Sequence, residues 1–120
     1  RQNAMAYNER LADIDSLKLP VEKEWAKNVY WMYGIELKDS ARMDNEGLAR
    51  KLKERGIATR PFFIGMHEQP VFYQMGLFKG EHYPVSERLS RKGLYLPSGL
   101  TLREEQIETV CEVLHEILGN

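Results

Sequence analysis

The chain is 120 residues long, which suits one compact unit that buries about two-thirds of its unfolded surface. Its 17 Lys and Arg residues against 18 Asp and Glu residues give a formal net charge of −1, which excludes a broad field that attracts nucleic acid or anionic lipid. The single cysteine, Cys111, excludes an intrachain disulfide and fits a reducing cytoplasm. No stretch reaches the ~20 apolar residues of a membrane span, and no signal peptide is expected.

Hydrophobic periodicity and turn residues predict helices that alternate with short strands. In chain order, the predicted elements are a helix over 2–13, a strand over 28–37, a helix over 44–55, a strand over 57–60, a short helix over 70–75, a helix over 84–91, a strand over 94–96 and a helix from 101 to 119. Asp44 is a suitable N-cap, and Thr101 with Glu104 forms a capping box. Helices between strands favour a layered α/β or α+β fold.

The predicted strand over 28–37 has apolar residues at every second position, and its other face carries Tyr30 and Met32. Both faces are therefore expected to be covered in the protein to which this chain belongs. An isolated chain is expected to expose aromatic surface at Trp25, Tyr30 or Met32.

Residues 56–70 are the most informative segment, because they combine a helix stop, a short strand and an aromatic loop bounded by prolines. Arg60 can hold a phosphate or a sugar hydroxyl through its fork of donors, or it can pair with a carboxylate at the surface. Phe62 and Phe63 can stack on a base or sugar, although one ring in the core and one at the surface is the favoured arrangement. His67 can bond a substrate hydroxyl, carry a proton or cap the loop.

Other kinds of site find little support in the sequence. The three histidines have no metal-ligand spacing with one another or with the cysteine, so no metal site is predicted. There is no glycine-rich phosphate loop of the P-loop type and no serine in a nucleophile context. The basic run over 50–55 is interpreted as the solvated end of a helix. Glu87 is expected to hold the loop before its helix by accepting backbone N–H groups.

The order of several motifs resembles the C-terminal small domain of the DegT/DnrJ/EryC1/StrS aminotransferases, in particular the branch that contains the perosamine synthases. The motifs are Arg1-Gln2-Asn3-Ala4, Tyr30-Trp31-Met32-Tyr33, Gly56-Ile57-Ala58-Thr59-Arg60, His67-Glu68-Gln69-Pro70, Tyr83-Pro84-Val85-Ser86-Glu87 and Leu94-Tyr95-Leu96-Pro97-Ser98-Gly99. The resemblance covers nearly the whole chain. Gly65 departs from that branch, which usually has proline at this position.

The resemblance implies an α/β, α+β-like fold, with a small, mostly antiparallel three-stranded sheet and helices packed on one face. Residues 1–120 then form a single domain, and residues 1–14 form its linking helix. The parent enzyme would use pyridoxal phosphate to transfer an amino group to a nucleotide-linked keto-sugar. Its cofactor lysine would lie upstream of this chain, so no cofactor is expected on this fragment and no residue in it is assigned a catalytic role.

The resemblance also implies the partners. These are the enzyme's own large domain, the nucleotide-linked keto-sugar, an amino-acid amino donor and a second subunit of a homodimer. The four candidate substrate-binding residues, Arg60, Phe62, Phe63 and His67, would form one wall of the site. A stand-alone α/β module that binds a ligand or a protein, without catalytic activity, is the alternative.

Overall fold

A four-stranded antiparallel sheet organises residues 1–119, which are the residues that the computed structural model describes. The strands are β1 (Leu17–Lys18), β2 (Tyr33–Leu37), β3 (Arg60–Pro61) and β4 (Gly93–Leu96). The α-helices are α1 (Gln2–Leu11), α2 (Asn45–Glu54), α3 (Pro70–Gln74), α4 (Pro84–Lys92) and α5 (Glu104–Leu118), with 3₁₀ turns at Asp39–Ala41 and Met66–Glu68. The strand order β1-β2-β4-β3 confirms the mixed fold with a small antiparallel sheet.

The sheet has one strand more than the three predicted. β1 pairs antiparallel with β2, and Leu17 lies opposite Leu37. Two residues are too few for a period-two pattern, so nothing in the local sequence marks β1 as a strand. Its position depends on β2, which offers a free edge with unpaired backbone groups.

The main core lies between one sheet face and helices α1, α2 and α5. Tyr33 on β2 stacks on Tyr7 of α1, with ring centroids 4.7 Å apart, and burial raises the pKa of both phenols. Cys111 of α5 is buried in this core, and the loss of solvation raises the pKa of its thiol to about 11. The largest fully buried side chains are Tyr7, Tyr33, Leu11, Ile35, Leu37, Leu48, Leu52, Leu94 and Leu114.

The long strand predicted over 28–37 is wrong in its first half, because only Tyr33–Leu37 pairs in the sheet. Val29 and Trp31 are 73% and 76% exposed although they continue the alternation. The side chain of Asn28 accepts a hydrogen bond from the N–H of Tyr30 at 2.8 Å, and Tyr30 has a positive φ of 48°. This local turn replaces strand pairing. Trp25 is 85% exposed, as expected, whereas Tyr30 and Met32 are half-buried.

The short strand predicted over 57–60 is shifted toward the C-terminus. The N–H of Ile57 donates to the carbonyl of Leu52 in α2, which ties Ile57 to the helix end, and Gly56 takes the left-handed conformation at φ 77°. Pro61 is the last residue of β3 and pairs with Leu94. β3 is an edge strand, where proline needs no ladder donor on its free side.

The helix starts follow local capping signals in most places. The side chain of Asp44 accepts from the N–H of Gly47 at 2.8 Å, and Pro84 opens α4, as predicted. The capping box at Thr101 and Glu104 is wrong. Arg103 is the N-cap, and the side chain of Gln106 accepts its N–H at 2.9 Å. A turn that ends at residue 102 delays the helix start.

Candidate functional site

Three of the four candidate residues lie around Tyr95 in β4. Arg60 is its register partner across β3 and β4. The Phe62 ring stacks on Tyr95 with centroids 4.3 Å apart, and the Phe63 ring lies tilted at 6.1 Å. Tyr95 was not among the site residues predicted from the sequence. The alternation of buried Leu94 and Leu96 is a signal that could have placed Tyr95 on the opposite face of the sheet.

Phe62 lies over two glycines on neighbouring strands. A Cβ atom at Gly34 would lie 2.7 Å from the Cζ atom of Phe62, and one at Gly93 would overlap the ring. The ring is half-buried, whereas Phe63 is 72% exposed. The expected split between the two phenylalanines is present, except that Phe62 packs on the second face of the sheet and not in the main core.

Arg60 is exposed and makes no ion pair with any residue in 1–119. It borders a shallow groove of about 200 Å³ that Thr59, Tyr95 and Ser98 also line. The carboxylate partner of the surface interpretation is therefore not present within the described chain. A guanidinium at the rim of an open groove can bind an anion through parallel hydrogen bonds.

His67 contacts residues at the start of α4. Its side chain is only 8% exposed. Nε2 lies 3.2 Å from Oε1 of Glu87, and the ring lies tilted against Tyr83 with centroids 4.8 Å apart. The structure thus gives His67 a carboxylate partner on a helix, in place of the backbone partner of the loop-capping interpretation.

Glu87 joins several groups at the start of α4. Its Oε1 accepts the backbone N–H of Tyr83 at 2.8 Å, which is the loop-holding contact expected from the sequence. Nδ1 of His82 lies 3.7 Å from the same oxygen. The pKa of Glu87 is lowered chiefly by the N–H of Tyr83. Burial opposes this effect, and the hydrogen bond with His67 makes a smaller contribution that lowers the pKa further. The side chain is therefore a carboxylate near neutral pH.

The loop that carries His67 is tied to α4 by a second contact. Glu68 forms an ion pair with Arg91. The side chain of Gln69 donates to the carbonyl of Ile64 at 3.1 Å, which closes the loop before α3. These contacts hold the loop through residues on both sides of His67.

The sheet face that carries Phe62 and Tyr95 also carries a charged cluster that was not predicted from the sequence. Glu36 is 8% exposed and pairs with Arg88 of α4 and, at 3.2 Å, with Lys18 of β1. A groove of about 310 Å³ runs beside it over Gly34 and Phe62. Arg88 links α4 to the sheet through Glu36. The two cations compensate the charge of this one buried carboxylate.

The lysines of the chain lie at or near its surface. All of them are exposed except Lys92, which is half-buried and donates to the carbonyl of Met43 at 3.2 Å. A lysine that forms a Schiff base is usually activated by an enclosing apolar or cationic pocket. Among the described residues, Lys18 and Lys92 border open grooves, so neither is enclosed in this way. Within the same residues there is no cluster of three or more metal-ligating side chains, and no helix has the length and apolar character needed to cross a membrane.

The chain belongs to the DegT/DnrJ/EryC1/StrS aminotransferase family, whose model matches residues 1–115. It is 34% identical over 111 residues to a GDP-perosamine synthase of Escherichia coli O157:H7, an alignment that covers 90% of this chain and 28% of that protein. It is 32% identical over 119 residues to a pleiotropic regulatory protein of Geobacillus stearothermophilus, an alignment that covers 97% of this chain and 30% of that protein. The resemblance inferred from the motifs is confirmed.

Solved structures agree with this assignment. The structure of DesI with its TDP-sugar product superposes with a TM-score of 0.83 and 25% identity, and the match covers 100% of this chain and 30% of that chain. Helicobacter pylori PseC, an aminotransferase of pseudoaminic acid biosynthesis, has the same fold with a TM-score of 0.82 at 17% identity. The chain therefore spans about three tenths of the length of the relatives it matches.

Proposed function

We propose that this chain is the C-terminal small domain of a pyridoxal-phosphate-dependent aminotransferase that acts on a nucleotide-linked keto-sugar. The family match over residues 1–115 is the observation that carries the proposal. GDP-perosamine synthases among the relatives and a TDP-sugar product in one related structure support a nucleotide-sugar as the ligand. Residues 1–120 then form one domain, with residues 1–14 as its linking helix.

In this proposal, the chain supplies one wall of the substrate site. Arg60 faces an open groove without a carboxylate partner among the described residues, so its guanidinium suits a phosphate or a sugar hydroxyl. Phe63 offers an exposed ring on which a base or sugar can stack. Phe62 stacks on Tyr95 and so holds this segment against the sheet. His67 supplies a polar contact from the loop at α4.

The cofactor is assigned to the rest of the protein, since the lysines present here do not fit it. When bound, pyridoxal phosphate serves as the electron sink of transamination. The part of the enzyme described here then has a positioning task, which is to hold the sugar-nucleotide against the reacting centre. Its partners would be the large domain of the same polypeptide, an amino-acid amino donor and a second subunit of a homodimer in the cytoplasm.

The exposed apolar residues near the turn at 28–32 support a covering large domain. Trp25, Val29, Trp31 and Leu100 are all strongly exposed. Val29, Trp31 and Leu100 line one groove of about 400 Å³ together with residues of α1. A contiguous apolar patch of this kind is typical of a surface that another part of the protein covers.

The test uses the intact enzyme with Arg60→Ala and His67→Ala. Each change removes a ligand contact in the ground state and the transition state alike, so KM for the nucleotide-sugar is expected to rise while kcat is retained. For Arg60→Ala, the loss of a charge-assisted hydrogen bond of about 1.5–3 kcal/mol corresponds to a roughly 10- to 100-fold rise. Arg50→Ala is the matched control, because Arg50 is exposed on α2. Unchanged KM in both site variants would show that the loop and β3 do not contact substrate.

A further inference from the structure

Contacts with neighbouring groups fix the orientation of the His67 and Glu87 side chains. Oε1 of Glu87 receives the N–H of Tyr83 at 2.8 Å and faces Nε2 of His67 at 3.2 Å. Tyr83 packs its ring against the imidazole and donates its hydroxyl to Glu81. The imidazole is therefore held at one nitrogen and on one face, and only 8% of the side chain is exposed.

The carboxylate determines which ring nitrogen carries the proton. A carboxylate accepts hydrogen bonds and cannot donate them, so Nε2 must be the donor in the contact with Glu87. In a neutral imidazole only one nitrogen is protonated, which leaves Nδ1 as an acceptor. The exposed His82, whose Nδ1 lies 3.7 Å from the same oxygen, is too distant for a hydrogen bond and does not displace this contact.

Gly65 makes this ring position possible. A Cβ atom at position 65 would lie 2.7 Å from Nδ1 and 2.6 Å from Cε1 of His67, closer than real side chains approach. Gly65 has φ −57° and ψ 149°, a conformation open to other residues, so its backbone angles do not require glycine. The missing side chain leaves the edge of the ring that carries Nδ1 free of a neighbouring Cβ.

We propose that Glu87 is a positioning residue that holds His67 in the tautomer protonated at Nε2, so that Nδ1 accepts a hydrogen bond from a hydroxyl group of the ligand. The identity of that ligand as a nucleotide-sugar rests on the proposed function, whereas the tautomer does not. A hydroxyl can donate to Nδ1, and an unprotonated phosphate oxygen cannot. His67 would thus recognise the sugar or ribose part of the substrate and leave the phosphates to other groups.

The tautomer is tested in the intact enzyme with ¹⁵N-labelled histidine, through correlations between the carbon-bound ring protons and the ring nitrogens. His67→Gln identifies the His67 signals by their loss. Once its ring signals no longer change with rising pH, the wild type is expected to show a protonated Nε2 and a bare Nδ1. Glu87→Ala is expected to remove this single tautomer and give averaged signals, whereas the control Glu81→Ala keeps it.

Gly65→Ala is a second variant that leaves Glu87 in place. Its Cβ is expected to push the imidazole from Glu87 and produce the same averaged signals, even if Glu87→Ala fails to fold. A wild-type His67 protonated at Nδ1, or an unchanged tautomer in both variants, would overturn the proposal.

Kinetics separate the positioning role from the proposed function. Glu87→Ala is expected to raise KM for the nucleotide-sugar about tenfold, the loss of one hydrogen bond of ~1.4 kcal/mol, with kcat retained. If the tautomer responds as expected but neither Glu87→Ala nor His67→Ala changes KM, the ligand contact is wrong and the substrate wall loses its support from His67. The Arg60→Ala result then decides the proposed function independently.

Discussion

Gly93→Ala tests whether the Phe62 ring needs glycine beneath it. Gly93 has φ −90° and ψ 141°, angles that alanine adopts without strain, so the effect is purely steric. The added Cβ would overlap the Phe62 ring and lie 2.5 Å from the backbone oxygen of Leu89. The ring can turn away, but the carbonyl belongs to α4 and cannot yield without moving the helix.

The expected magnitude follows from comparison with Gly99→Ala. A Cβ atom at Gly99 would have no neighbour within 4 Å among the described residues, and the φ of Gly99 is not positive. Both variants gain about 0.4–1 kcal/mol from the less flexible unfolded chain. That term cancels between them, so Gly93→Ala is expected to be about 1–3 kcal/mol less stable than Gly99→Ala, which is the usual cost of overpacking. Gly34→Ala is expected to fall between them, because its Cβ meets only the side chains of Phe62 and Tyr95.

Equilibrium urea denaturation of the protein measures these differences, provided that the slope m is the same for all variants. Equal midpoints for Gly93→Ala and Gly99→Ala would refute the close approach of Gly93 to the Leu89 carbonyl and the Phe62 ring. Enzyme kinetics on the same variants add a functional readout, since a displaced Phe62 is expected to shift β3 and raise KM through Arg60.

Three further predictions concern the core, pH and the cofactor. Leu114→Ala is expected to lower the free energy of unfolding by about 2–5 kcal/mol, because Leu114 is fully buried. The control Glu112→Ala is expected to change it by less than about 0.5 kcal/mol, because Glu112 is exposed. Equal effects of the two variants in denaturation would show that the buried face of α5 is misassigned. The pKa of His115 is raised, first by its hydrogen bond with Asp13, so the stability from this pair is present below about pH 6.5 and decreases as pH rises through the raised pKa. His115→Gln is expected to remove that part of the pH dependence, and an unchanged stability–pH curve would count against the pair. Pyridoxal phosphate added to the 120-residue chain is expected to form no stoichiometric lysine adduct, because the lysines within residues 1–119 are exposed or, at Lys92, half-buried. An absorbance band that disappears when one particular lysine is replaced would contradict this.

Many helix features were predicted from the sequence because they depend on neighbouring residues. Asp44 caps α2 through its own side chain, and Gly56 ends the helix region because only glycine takes a left-handed conformation freely. Helical spacing alone places the apolar residues of α5 on one face, and Ile107, Val110, Cys111, Leu114 and Leu118 are buried there, while Ile117 is half-buried against the core. The order of local motifs also indicated the family.

Only the tertiary structure decided the sheet and the contacts of the candidate site. β1 forms because Leu17 pairs with Leu37 in the sheet. The alternation at 28–32 predicted a strand wrongly, because none of the described strands lies beside those residues. Tyr95 of β4 stacks on Phe62, which follows β3, and His67 contacts Glu87, which is 20 residues further along the chain. Strand pairing and side-chain contacts of this kind join residues that are distant along the chain, so their energy appears only when the whole fold forms and leaves no periodic signal in the local sequence.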